Sequence, residues 1–171
     1  QIYEKHLKQY CSYLRVEQLT MEEMFDAVVL KQHVANVFKK DNRQLCKPLT
    51  NLPQMSGGWE VKQLNTMLDL IEEGQFQHHC IGSSNYSYAI RRSNGVAVSL
   101  RKHDKRHTVF FRFEKSKLKW SIEQDLTFAN KDKKEVFDDY DVKLLDYNIQ
   151  VLLEYLNKER VKPKKMVEEL F

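Results

Sequence analysis

Cysteine, proline and glycine are scarce in this 171-residue chain, which carries three, three and five of them. Cys11, Cys46 and Cys80 lie too far apart for a Cys-x-x-Cys metal knuckle and are too few to staple a small secreted scaffold, so reduced thiols are expected. The shortage of Gly and Pro, with no low-complexity run, excludes a collagenous, linker-rich or disordered chain. No stretch approaches the roughly 18 consecutive apolar residues of a transmembrane helix. The first twenty residues also lack the cationic, apolar and small-residue succession of a signal peptide. A cytoplasmic location with no membrane partner is therefore expected. A start at Gln1 rather than Met reads as a processed product or a piece of a longer chain. Walker, dinucleotide Gly-rich, His-Glu-x-x-His and paired-carboxylate motifs are all missing, which argues against nucleotide hydrolysis, hydride transfer and zinc proteolysis. No cofactor and no metal are expected.

What is present is enough apolar residues, 42%, to bury one core of ordinary size, so one α+β domain over residues 1–171 is expected. It divides into a helical subregion at 1–73, a loop and sheet at 74–130, and a C-terminal helix with a basic tail at 131–171. Charge is unevenly placed. Residues 80–119 hold 10 Lys and Arg against 2 Asp and Glu, whereas the segments before and after are slightly acidic at 9 against 10 and 9 against 12. A +8 middle third accounts for more than the whole net charge of +4.

Periodicity supplies the elements. Tyr3, Leu7, Tyr10 and Leu14 recur at three- and four-residue spacing, which predicts a helix over 2–15. Thr20 and Glu23 have the capping-box spacing that opens a second helix running toward Lys40. Residues 41–58, with Pro48, Pro53 and Gly57-Gly58, read as an irregular connection. A third helix is predicted from about Trp59, through Val61, Leu64, Leu68 and Ile71, with Gly74 as its stop. The period then changes to two, and the runs 86–92, 96–102, 107–113 and 117–123 predict a four-stranded antiparallel β-meander. Four-residue loops at 103–106 and 114–117 place Leu100 opposite Val109, Val98 opposite Phe111, and Phe111 opposite Trp120. One face then carries Tyr86, Tyr88, Ile90, Val96, Val98, Leu100, Val109, Phe111, Phe113, Leu118, Trp120 and Ile122 and should be core. Val142, Leu145, Ile149, Leu152 and Leu156 predict a helix over 141–160 lying across it, followed by a tail with Lys162, Lys164 and Lys165.

The opposite sheet face would carry Arg91, Arg101, Arg112, Lys117 and Lys119 beside one aromatic, Phe110. Cations beside an exposed ring are what a single-stranded nucleic-acid platform needs for phosphate attraction and base stacking. A solvated polar face is the plainer alternative. The second constellation is His78-His79-Cys80, where an imidazolium could hold a thiolate. Cross-strand pairing also puts Ser87, Arg101, Thr108 and Glu123 in one row, with His79 or Cys80 folding back over its end. Catalytic candidates are therefore His79, Cys80, Arg101 and Glu123, with Glu123 balancing the charge of Arg101. A buried structural Cys80 and a solvated His pair are the alternative.

Glu73-Gly74, His79-Cys80-Ile81-Gly82-Ser83, Tyr86, Ser99-Leu100-Arg101, Thr108, Glu123-Gln124 and Asn130 together resemble the pattern of PcfJ-like proteins, found on conjugative plasmids and in phages. The resemblance spans residues 73–130 and finds nothing usable in 1–72. It differs at Phe110, near which an acidic residue is expected, and at Thr127, where a Gly is expected. What it implies is an association with DNA mobility and mobile elements. The favoured reading is a nucleic-acid-associated accessory module of a mobile element. The alternatives are an enzyme using Cys80 and His79 with Arg101, and an interaction domain whose basic face docks an acidic protein partner.

Overall fold

The structure, a computed structural model, describes residues 44–159. The predicted helices at 2–15 and 21–40 and the lysines of the C-terminal tail lie outside the described residues. The order is β1 (Glu60–Gln63), α1 (Met67–Gln77), α2 (Ser84–Arg91), β2 (Gly95–Lys102), β3 (Lys105–Glu114), β4 (Lys119–Leu126), α3 (Lys133–Val136) and α4 (Asp139–Lys158). The four strands form one antiparallel sheet in the order β1-β2-β3-β4, and the class is α+β.

Two predicted elements exchange roles. Residues 86–91 are helical, because Tyr86, Ala89 and Ile90 at three-four spacing form one buried stripe while Tyr88 points to solvent. In so short a window a period of two and a period of 3.6 share most positions. The fourth strand is instead β1, within the span predicted to open the third helix, and it pairs Val61 with Leu100 and Lys62 with Ser99. The helix begins only at Met67, where Thr66 and Asp69 form a capping box. Nor does Gly74 stop it. His78 in the left-handed conformation caps the helix, and Gly74 is needed because a side chain there would press on the His79 carbonyl at 3.0 Å.

The hairpins turn more tightly, or later, than predicted. A two-residue turn at His103-Asp104, with His103 at φ 54°, puts Val98 opposite Val109 and Leu100 opposite His107. Phe111 faces Ile122 and Phe113 faces Trp120. Both registers differ from expectation by two residues, in β3–β4 as far as the irregularity between Phe110 and Phe111, and an even shift leaves those side chains on their face. Val96, Val98, Leu100, Val109, Phe111, Phe113 and Trp120 therefore do form one core with Leu145, Ile149, Leu152 and Leu156 of α4. Trp120 is 2% exposed within it. Leu118 leaves the face, because it occupies the β3–β4 turn at φ 52° and is exposed. Helix α4 also grips main chain through amides. Asn148 exchanges two hydrogen bonds with Ser56 (2.8 and 3.1 Å), and Asn157 exchanges two with Trp120 (2.8 and 3.3 Å).

The largest correction concerns the other face, which is not open. Helices α1 and α2 cover it, packing Leu70, Tyr86, Ala89 and Ile90 on Ala97 and Phe110. Phe110 is fully buried, with the Tyr86 ring edge-on at 4.9 Å. Gly95 allows this approach: a β-carbon there would stand 2.4 Å from Phe110 Cζ. The sheet thus has helices on both sides, and its cations are displaced to its two ends.

Candidate anion-binding surfaces

At the β2–β3 turn end, Arg101 and Arg106 are directly opposed on neighbouring strands, a pairing that repulsion would disfavour on its own. Helix α1 resolves it. Leu70, Ile71, Gly74 and Gln77 form its buried stripe, and Glu73 lies within that stripe, fully buried. One Glu73 oxygen, Oε2, accepts from Arg101 Nη2 at 3.3 Å and from Arg106 Nη1 at 3.1 Å. The other, Oε1, accepts from the Thr108 hydroxyl at 2.7 Å. Arg101 Nε also donates to Ser99 Oγ at 3.0 Å, and Gln77 Nε2 ties the helix to the Arg106 carbonyl at 2.8 Å.

His79 completes the network. The Ile81 N–H donates to its Nδ1 at 3.4 Å, and its Nε2 lies 2.9 Å from Thr108 Oγ1. Burial holds the ring's pKa down to about 4 despite the attraction of Glu73, so at neutral pH the imidazole is uncharged. With Nδ1 accepting, Nε2 carries the proton and donates to Thr108, whose hydroxyl donates onward to Glu73. Both ring nitrogens of His79 are engaged, and Cys80 is exposed. The chain of bonds is inside the protein; what it presents at the surface is two arginine side chains, 32% and 20% exposed. Arg106 also lies 3.8 Å over the ring of Phe76, which is 48% exposed.

Glu73, His79, Ser99, Arg101 and Thr108, five positions of the sequence pattern, therefore meet in one hydrogen-bonded cluster. A family model of PcfJ-like proteins matches residues 9–138, more than half of the chain. The chain belongs to the PcfJ-like family. The match reaches well beyond residues 73–130, which carry the resemblance, into the N-terminal region. No curated protein and no solved structure matches the chain.

In this PcfJ-like chain Glu123 does not serve Arg101. It pairs with Arg112 through Arg112 Nε and through Nη2 at 3.1 Å, a bond that raises the Arg112 pKa. The proposed row of Ser87, Arg101, Thr108 and Glu123 is likewise broken: Ser87 is on α2, and Thr108 faces Ser99 and Leu126. A bulge between Phe110 and Phe111 makes Glu123 the extra residue of β4.

Arg91, Arg112, Lys117 and Lys119 gather at the opposite end of the sheet, about 20 Å along the strands from Arg101. The turn after α2 is fastened there by the Phe113 N–H, which donates to the Asn94 carbonyl at 2.9 Å. Arg92 and Lys115 join them, so the end of α2 and residues 112–123 together hold six cations and two carboxylates, Glu114 and Glu123. Lys117 pairs with Glu114 at 2.8 Å, while Arg91, Arg92 and Lys115 have no ion-pair partner among the described residues. The Arg92 guanidinium stacks 4.5 Å over exposed Tyr88.

Sequence reasoning did not place Glu73, Arg106 or Phe76 in a site. The available signal was a carboxylate on the apolar stripe of α1, three residues after Leu70. A second, part-buried cluster also had no signal in the sequence pattern. Asp125 joins His107 to Lys133, and Lys133 reaches Asp146 at 2.8 Å, fastening α3 to the sheet. Burial opposes ionisation of Asp125, yet bonds from His107 and Lys133 hold its pKa below the usual range. Among the described residues no group of three His, Cys, Asp or Glu side chains is arranged to hold a metal, and no helix is long and apolar enough to cross a membrane.

Proposed function

We propose that this protein is a nucleic-acid-associated accessory module of a mobile genetic element, and that it holds a phosphate backbone on the basic end formed by Arg91, Arg92, Arg112, Lys115, Lys117 and Lys119. The observation that carries the reading is six cations against two carboxylates over the end of α2 and residues 112–123, with Arg91, Arg92 and Lys115 making no ion pair among the described residues and Glu114 shared between Lys117 and Lys119. Such a field attracts polyanions without regard to sequence. Tyr88, exposed and already stacked with Arg92, supplies a ring for a base. The association with conjugative plasmids and phages implied by the resemblance supports the same reading. This surface replaces the open sheet face expected from sequence and retains four of the residues expected to bind.

Fluorescence anisotropy with a labelled single-stranded oligonucleotide tests it. About four engaged phosphates give a slope near −3 in log affinity against log salt, or about 60-fold weaker binding at 200 than at 50 mM salt. The Arg91→Glu/Lys119→Glu double variant should bind more weakly with a shallower slope. Affinity indifferent to both salt and the double variant refutes the proposal.

A further inference from the structure

Why a fully buried carboxylate should hold two arginines at the other end of the sheet has a chemical answer. Glu73 cancels one of the two positive charges, and Glu60, opposite Arg101 on β1, makes no ion pair with it, so among the described residues one charge is left over from the ion pairing. Of the five N–H donors on each guanidinium, Arg101 uses Nε and Nη2, and Arg106 uses Nη1. Among the described residues, Arg101 Nη1 and Arg106 Nε and Nη2 make no hydrogen bond. These donors sit on two side chains held rigidly from below by Glu73 and Ser99. Such an arrangement suits a tetrahedral oxyanion, because its entropy loss on binding is already met by the fold. One face of Phe76 is covered by Arg106, and the ring is still half exposed. An aromatic surface beside a preorganised guanidinium pair matches a base carrying a phosphate.

We propose that Arg101, Arg106 and Phe76 form a nucleotide-phosphate site, with the phosphate on the two guanidinium groups and the base against Phe76. The site is separate from the basic end and does not depend on it. Calorimetry on the full chain should show that dAMP binds, and that deoxyadenosine, which lacks the phosphate, binds at least about tenfold more weakly. Arg106→Lys keeps the charge but loses the fork, and should weaken dAMP about tenfold. Phe76→Ala, at a half-exposed position outside both core clusters, should weaken dAMP about tenfold and leave inorganic phosphate unaffected. Arg91→Glu/Lys119→Glu should leave dAMP affinity unchanged. A 5′-phosphorylated tetranucleotide that binds at least as tightly as dAMP identifies a strand end as the source of the phosphate, and weaker binding identifies a free nucleotide; either upholds the site. The proposal is overturned if neither dAMP nor the phosphorylated tetranucleotide binds at millimolar concentration, if deoxyadenosine binds as well as dAMP, if both Arg106→Lys and Phe76→Ala leave dAMP affinity unchanged, or if the basic-end double variant abolishes dAMP binding.

Discussion

Mild acid should loosen this protein through His79. Its imidazole has a pKa of about 4 in the fold against 6.5 for an unperturbed side chain. The unfolded chain therefore takes up the proton first. Stability from this residue is complete above about pH 6.5 and declines as pH falls toward 4, with a full loss of about 3 kcal/mol. Between pH 7 and pH 5 the unfolded histidine becomes almost wholly charged while the folded one stays neutral, so about 2 kcal/mol is lost in that interval. The carboxylates whose pKa is depressed, Asp125, Asp141 and Glu114, act at lower pH, because their unperturbed values are 3.8, 3.8 and 4.5. Urea denaturation at both pH values, on the natural chain and on His79→Gln, isolates the contribution. Glutamine can still donate to Thr108 but does not titrate, so the variant should lose about 2 kcal/mol less than the natural chain over the interval. Equal losses in the two proteins, or an imidazole resonance of His79 that titrates near 6.5 by NMR, would refute the buried neutral ring and with it the direction of the Thr108–Glu73 hydrogen bonds.

Glu73→Gln leaves Arg101 and Arg106 facing each other without their carboxylate, and should lower stability by about 3 kcal/mol in urea denaturation; an unchanged midpoint would mean that the pair does not need Glu73. Trp120→Ala opens the core between the sheet and α4 and should cost about 3 to 5 kcal/mol by the same measurement, whereas a loss below 1 kcal/mol would contradict the burial of Trp120.

Side-chain periodicity along single segments was enough to determine β2, β3, β4, the long α4 helix and the apolar sheet face with Trp120 inside it. These survive because the in-out alternation of a strand and the three-four stripe of a 20-residue helix are local properties, and because a register error of two residues leaves faces unchanged. The motif residues were also visible in the sequence as a pattern. Their meaning was not. Whether 86–92 became strand or helix depended on a partner, since its stripe of Tyr86, Ala89 and Ile90 gains burial only when Phe110 lies beneath it. Likewise the strand pairing of Glu60–Gln63 exists only because β2 offers an edge. Only the tertiary structure covered the second face and sent Arg112 to Glu123 and Arg101 to Glu73, a residue 28 positions away in the chain. Charge pairing acts through space over a few ångströms, and no one-dimensional spacing encodes which helix will lie across a sheet.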